Sequence, residues 1–191
     1  MFRPVHLSVR KGAAMERRGQ PRPDLSLLDG VVASPVLEAA RAVDARLKEL
    51  GIRHVLVGGL AVGAHGFPRA TKDVDFLVGP EAFEHHAGGF VTMKPGLPVA
   101  FANDVIVDYL LPRDDEPFLV DESFRDEGVA PITVLVYLKL KSPRAKDRAD
   151  VIELIKAGID VKRVSAFLDE HAPALRASFD EAVTTARAEE E

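Results

Sequence analysis

The sequence predicts an α+β fold in which a short mixed β-sheet is flanked by helices and followed by a C-terminal helical segment. Two short apolar runs, at 53–57 and 72–78, are typical of strands, and the second alternates with period 2. Two further extended runs, at 97–101 and 105–111, flank Asn103-Asp104, a tight-turn pair that predicts a hairpin. The last third of the chain carries apolar residues at helical spacing.

Three regions are predicted along the 191 residues. Residues 1–30 form a basic leader without hydrophobic periodicity, which we expect to be disordered. Residues 34–130 form the core and residues 131–188 the C-terminal helical part. Residues 1–22 hold six Lys or Arg against one Glu, a net charge of +5, so the remainder of this chain of net charge −5 carries −10. An acidic body argues against tight non-specific binding of nucleic acid.

Composition excludes several classes of site. The chain has no Cys, which excludes disulfides, thiolate metal sites and cysteine nucleophiles. No apolar run approaches the roughly 18 residues of a membrane span, and the N-terminus lacks the apolar core of a signal peptide. We therefore expect a cytoplasmic protein without a membrane partner.

Helix signals fill the positions between and after the strands. Ser34 as N-cap and Pro35 in the first turn begin a packing helix that Gly51 ends. A short helix over about 59–65 follows the first strand, and Pro80 begins another helix. Further helices are predicted over 134–141, after Pro143, and over about 160–171 and 173–188.

The strand at 72–78 carries two carboxylates on one face. Its alternation places Val74 and Phe76 inward and puts Asp73 and Asp75 together on the other face, about 6.6 Å apart along the strand. Two carboxylates at this spacing can share one or two divalent cations. The alternative is the solvated face of an amphipathic strand.

Gly58 and Gly59 follow the first strand at the start of the short helix. Backbone N–H groups at such a position lack intrahelical partners and can hold a phosphate. A Gly pair alone is a weak signal, because most such pairs are turns or helix ends.

A third carboxylate is predicted on the hairpin. Asp108 interrupts an apolar strand, where an unpaired charge would be costly. Asp104 is its rival, but beside Asn103 it is interpreted as a turn residue that caps its own backbone. A third interpretation leaves Asp108 facing solvent on an edge strand.

Together these features resemble the polymerase-β-like nucleotidyltransferase superfamily, and within it the small bacterial members that include abortive-infection toxin-like enzymes and aminoglycoside nucleotidyltransferases. Their pattern is a hydrophobic residue, Gly-Gly, about a dozen residues containing Arg-x-[Ser/Thr], and then Asp-hydrophobic-Asp. Gly58-Gly59, Arg69-x-Thr71 and Asp73-Val74-Asp75 match it. A second signature of the toxin-like branch, a Lys that ends one helix and a Lys-Asp-x-x-Asp that opens the next, resembles Lys139 and 146–150.

The resemblance implies a nucleotidyltransferase fold and a site for a nucleoside triphosphate. Two Mg²⁺ ions, with Mn²⁺ as an alternative, would be held by the catalytic carboxylates Asp73, Asp75 and Asp108. Nucleotide contacts would come from Gly58, Gly59, Arg69, Thr71 and Lys139, with Lys146 as a further candidate. Asp147 and Asp150 are interpreted as structural residues that tie the two helices together.

Three functions remain open after this comparison. The first is a toxin-like nucleotidyltransferase acting on RNA, above all tRNA, or on protein, with an antitoxin protein as a partner. The second transfers the nucleotide to a small molecule such as an aminoglycoside, which the acidic body favours slightly. The third is a catalytically silent, antitoxin-like binding module. No chemistry is assigned to His65, His85 or His86.

Overall fold

The fold is that of a computed structural model, which describes residues 22–98, 100–101, 105–124 and 128–190. A five-stranded sheet with strand order β5-β6-β2-β1-β7 forms its centre. The strands are β1 (His54–Leu56), β2 (Asp73–Val78), β5 (Ala100–Phe101), β6 (Val105–Leu110) and β7 (Gly128–Val129), and a separate two-stranded sheet pairs β3 (Phe83–His85) with β4 (Val91–Met93).

The central sheet is mixed, as predicted. β2 lies antiparallel to β1 and parallel to β6, while β5 and β6 form the antiparallel pair expected of the hairpin. β7 adds to the other side of β1 in parallel. The predicted α+β class is therefore confirmed, and the parallel pairing of β2 with β6 is the feature that builds the site.

Two helices pack the first half of the chain onto the sheet. In α1 (Ser34–Glu49) the residues Val36, Val43 and Leu47 are buried, and the helix stops before Gly51, whose φ is +67°. The N-cap is Ala33 rather than the predicted Ser34. Pro35 explains the start, because its fixed φ suits the first turn and its missing N–H is not needed there. The short helix α2 (Gly58–Ala64) is buried almost throughout.

The predicted helix at Pro80 is wrong. Pro80–Ala82 form only a single 3₁₀ turn, after which β3 and β4 make a hairpin. The turn of this hairpin contains Gly88 and Gly89 at φ of +95° and +85°, conformations that glycine adopts without strain and that reverse the chain. The short helix α3 (Pro117–Ser123) and strand β7 were not predicted.

Four helices complete the chain: α4 (Ile132–Lys141), α5 (Ala145–Lys156), α6 (Val161–His171) and α7 (Arg176–Glu190). α4 is apolar on nearly all sides and packs against α2, α3, α5 and α6, which explains why it lacks a polar face. α7 packs on α5 and α6. Because buried residues of both predicted regions join one hydrophobic cluster, the C-terminal helices complete the core around the sheet.

Part of the predicted leader packs on the fold. Residues 1–21 lie outside the described residues, but Leu25–Leu28 form a 3₁₀ turn in which Leu28 is fully buried. The N–H of Asp24 donates to the carbonyl of Ala64 at 2.8 Å and fastens this turn to the end of α2. Within the described ranges, no helix combines the length and the apolar character that crossing a membrane requires.

Candidate active site

Three carboxylates meet where β2 and β6 run side by side. The parallel register places Asp75 directly opposite Asp108, and Asp73 lies two residues earlier on the same face of β2. All three line one cavity of about 140 Å³. The other face of these strands is core, with Val74 and Val107 buried. The predicted grouping of the three acids is thus present in the geometry, although their catalytic role is a separate matter.

Like charges repel one another within this group of three carboxylates. Burial, together with the nearby carboxylates of Asp73 and Asp108, raises the pKa of Asp75 to about 6. Asp73 differs, because the hydroxyl of Thr71 donates to its Oδ1 at 2.6 Å and lowers its pKa. A cation between the three carboxylates would relieve the repulsion.

The donor set also fits the predicted metal. Carboxylate oxygens are the ligands that Mg²⁺ and Mn²⁺ prefer. In the described part of the chain, however, no group of three or more His, Cys, Asp or Glu residues is arranged so that it could hold a metal ion. Asp73 and Asp108 are exposed and Asp75 is half-buried, so water or a phosphate oxygen has access to the same place.

Gly58 is required by the close approach of Asp75. Its φ is +66°, and a Cβ built on it would lie 1.8 Å from Asp75 Oδ2. Gly59 packs against the next loop, since a Cβ there would lie 2.8 Å from Thr71 Oγ1. Both glycines line the cavity. Both positions require glycine locally, because a Cβ at Gly58 would collide with Asp75 and a Cβ at Gly59 would collide with Thr71.

Arg69 and Lys139 line the cavity but are engaged by carboxylates. Arg69 Nε and Nη2 each donate to a different oxygen of Asp150 at 2.7 Å. Lys139 Nζ donates to Asp147 Oδ1 and Asp150 Oδ2, both at 2.7 Å. We refer to Arg69, Lys139, Asp147 and Asp150 as the buried charge network. Their predicted contact with nucleotide phosphates stays a prediction.

Asp147 and Asp150 join α4 to α5, which is the structural role that the sequence predicts for them. Burial alone would raise the pKa of Asp150, but hydrogen bonds from Arg69 and Lys139 outweigh it and lower the value. The same balance, with Lys139, Ser142 and Arg144 as donors, lowers the pKa of Asp147 to about 2. Because Lys139 belongs to α4 and both acids belong to α5, these contacts join the two helices.

Two further cations reach the cavity from the start of α5. Arg144 was given no role by the sequence argument; its side chain is 75% exposed and its Nε donates to Asp147 at 2.6 Å. Lys146 is exposed, lines the cavity and lowers the pKa of Asp73 through its charge. Among the described residues it has no hydrogen bond or ion pair, since Asp150, its expected i+4 partner, binds Arg69 and Lys139. The sequence signal that could have indicated a role for Arg144 is its position after Pro143 and directly before a helix.

Other candidates fall outside the site. Asp104, the rival third acid, lies outside the described residues. His65 Nε2 lies 2.8 Å from the carbonyl oxygen of Ala130, a structural contact at the end of α2. His85 belongs to β3, and His86 Nε2 lies 2.6 Å from Thr92 Oγ1 across that hairpin.

Comparison with known proteins adds distant similarity to solved structures. No protein-family model and no curated protein matches the chain. Among solved structures, an antigenic nucleotidyltransferase-like protein from Paracoccidioides brasiliensis is similar with a TM-score of 0.42 and 13% sequence identity, covering 78% of this chain and 94% of that one. A similarity at this level does not carry an assignment, so the functional case rests on the site's own residues.

Proposed function

We propose that the protein is a Mg²⁺-dependent nucleotidyltransferase that moves a nucleoside monophosphate from a nucleoside triphosphate to an acceptor hydroxyl. The register that sets Asp75 opposite Asp108, with Asp73 on the same face, is the observation that carries the proposal. Charge supports it, because burial and like charges raise the pKa of Asp75 to about 6, as expected of a site built to hold a cation. A silent binding module would not need this uncompensated group.

The metal would be held by Asp73, Asp75 and Asp108, and when bound it would supply charge neutralisation and polarisation of the α-phosphorus. The chain's own groups then act on the substrates. Asp108, which lies exposed on β6, would accept the proton of the acceptor hydroxyl. The acceptor oxygen forms its bond to the α-phosphorus while the bond to the bridging oxygen breaks, and pyrophosphate leaves.

The triphosphate would lie between the glycines and α5. Backbone N–H groups of Gly58 and Gly59 would hold its phosphates, and Thr71 would fix the loop beside them. Lys146 and Arg144 would supply positive charge from the opposite wall. The apolar wall of Leu110, Leu135 and Leu138 offers a surface for the base or the acceptor.

For the acceptor, we propose RNA, above all tRNA, or a protein hydroxyl, with an antitoxin protein as the regulating partner; this rests on the Lys139 and 146–150 signature. An aminoglycoside-type small molecule is the second candidate. The net charge of −10 beyond residue 22 favours it, because an acidic surface attracts a polycation.

The decisive experiment incubates the purified protein with each labelled triphosphate, Mg²⁺, total RNA and a panel of aminoglycosides, and identifies the labelled product. Calorimetry with ATP, GTP, CTP and UTP in Mg²⁺ measures binding separately. Asp108→Ala should reduce turnover by a factor of about 10² or more, whereas Asp104→Ala should change it little. A wild-type protein that binds none of the four at millimolar concentration contradicts the proposal, and the reverse ranking of the two variants moves the third acid to Asp104.

A further inference from the structure

The loop at 68–72, between α2 and β2, is held by side chains rather than by its backbone. Outside the strand ladder, no backbone-to-backbone hydrogen bond among the described residues engages residues 68–72. The contacts that hold it are the fork from Arg69 to Asp150 and the bond from Thr71 to Asp73. These two contacts lie two residues apart on the same loop.

Three of the five N–H donors of Arg69 are already engaged within the protein. Its Nε and Nη2 are committed to Asp150, and its Nη1 donates to the carbonyl of Ala70 at 3.3 Å. The side chain of Arg69 is 16% exposed and that of Asp150 is 1% exposed. A forked, shielded pair fixes direction as well as distance, because two parallel hydrogen bonds leave the guanidinium plane one orientation.

The far end of the fork is itself fixed. Asp150 receives a further hydrogen bond from Lys139, which also donates to Asp147. All three of these side chains are buried. The loop is thus fastened to a point on α5 that cannot shift without breaking the buried charge network, 81 residues away from Arg69 in the sequence.

Thr71 passes this constraint to the carboxylate group. Its hydroxyl donates to Asp73 Oδ1 at 2.6 Å, and the residue is buried. The loop is pressed onto the start of α2, since a Cβ at Gly59 would lie 2.8 Å from Thr71 Oγ1 and 3.4 Å from Arg69 Nη1. The position of the Thr71 side chain is therefore constrained, and its hydrogen bond orients the carboxylate of Asp73.

The geometry points to Arg69 and Asp150 as positioning residues: their ion pair holds the 68–72 loop so that Thr71 keeps the carboxylate of Asp73 aimed into the cavity, and it is not a phosphate clamp. This inference rests on the proposed function for its catalytic consequence. Its structural half, that the ion pair orders the loop and the start of β2, stands independently of any activity.

Steady-state kinetics separate positioning from phosphate binding. Arg69→Gln, Asp150→Asn and Thr71→Val should each lower kcat by about tenfold or more while KM and the calorimetric Kd for the triphosphate change by less than about threefold. The double variant Arg69→Gln/Asp150→Asn should be about as active as the less active single variant, because both substitutions disrupt the same Arg69–Asp150 contact and Asp150→Asn disturbs the contact with Lys139 as well. A Kd raised about tenfold by Arg69→Gln but not by Asp150→Asn would identify Arg69 as a phosphate ligand and overturn the inference.

Thr71 gives a test that leaves the ion pair intact. Thr71→Ser keeps the hydroxyl and should restore kcat to within about threefold of wild type, whereas Thr71→Val should not. Equal activity of the two variants at the wild-type level would contradict the proposed transmission from loop to carboxylate. Because neither substitution touches Asp150, this comparison stays informative if Asp150→Asn fails to fold.

Hydrogen exchange supplies a readout without metal, nucleotide or turnover. In Arg69→Gln, the amides of residues 73–76, which lie in the strand ladder at the start of β2, should exchange about tenfold faster or more than in wild type, while the rest of the sheet is unchanged. The control is Arg53→Gln, which breaks a second, more exposed forked pair, Arg53 to Glu81, at the opposite end of β2. Unchanged exchange at residues 73–76 in Arg69→Gln overturns the inference. Absence of nucleotide transfer by the wild-type protein would refute the proposed function and leave this exchange result to be judged alone.

Discussion

Asp75 and the two acids of the buried charge network have opposite pKa shifts. In the buried charge network, Asp147 and Asp150 are the more deeply buried, yet each receives hydrogen bonds from two cations and its pKa is lowered. In the carboxylate group on β2 and β6, Asp75 faces other carboxylates and its pKa is raised. Compensated acids hold a structure together, whereas uncompensated acids in a cavity are kept at a cost in stability that a ligand can repay.

The largest effect is expected from removing charge in the uncompensated group. Asp73→Asn or Asp75→Asn keeps the shape and removes a metal-binding charge, so transfer should fall by a factor of about 10³ or more. Folding should be unimpaired in Asp75→Asn, because the substitution removes a repulsion. Turnover assays with Mg²⁺ and thermal unfolding measure the two quantities. Full activity in either variant would remove the carboxylate group from the mechanism.

Substitutions in the buried charge network should lower the stability of the folded protein. Lys139→Met leaves two buried carboxylates with one cation fewer, and we expect the free energy of unfolding to fall by about 3 kcal/mol. Urea denaturation measures it. The matched control is Lys48→Met at the exposed pair with Asp44, where a loss of less than about 1 kcal/mol is expected. Equal small losses in the free energy of unfolding in both variants would show that the buried charge network stabilises the protein no more than the control pair does.

A pH series sharpens the comparison through Asp75. Its folded-state pKa of about 6 lies above the ordinary 3.8, so its contribution to stability is fully present below about pH 4 and is lost as pH rises through about 6. In metal-free protein, the free energy of unfolding of Asp75→Asn relative to wild type should therefore increase between these two pH values and stay constant above them. The total increase should be about 1–3 kcal/mol. A difference independent of pH would contradict a raised pKa of Asp75.

The smallest effect is expected at the cavity's exposed wall. Lys146→Ala should weaken triphosphate binding by about threefold to tenfold, because a single exposed charge contributes little when screened. Calorimetry at two salt concentrations measures it, and the loss should shrink at high salt. Arg148→Ala on the same helix, exposed and away from the cavity wall, serves as the control. Equal losses in both variants would indicate general charge attraction instead of a contact.

The local part of this architecture could be predicted from sequence. The alternation in 72–78 predicted β2 and the side on which Asp73 and Asp75 lie, and Gly51 predicted where α1 ends. These features depend on neighbours one to four residues apart. The hairpin of β3 and β4 was missed because Pro80 is compatible with a helix start and with a 3₁₀ turn, and only the pairing of Phe83 with Met93 decides between them.

By itself the sequence determined which residue types stand at the ends of the strands: Gly58 and Gly59 after β1, and two acids on one face of β2. Tertiary structure alone decided which of them meet. In the folded chain, β2 pairs with β6 so that Asp108 lies opposite Asp75. Arg69 forms its ion pair with Asp150, 81 residues away in the sequence. The physical reason is that strand register and buried ion pairs join distant segments, and their partners are fixed by packing and by the cost of leaving a buried charge alone.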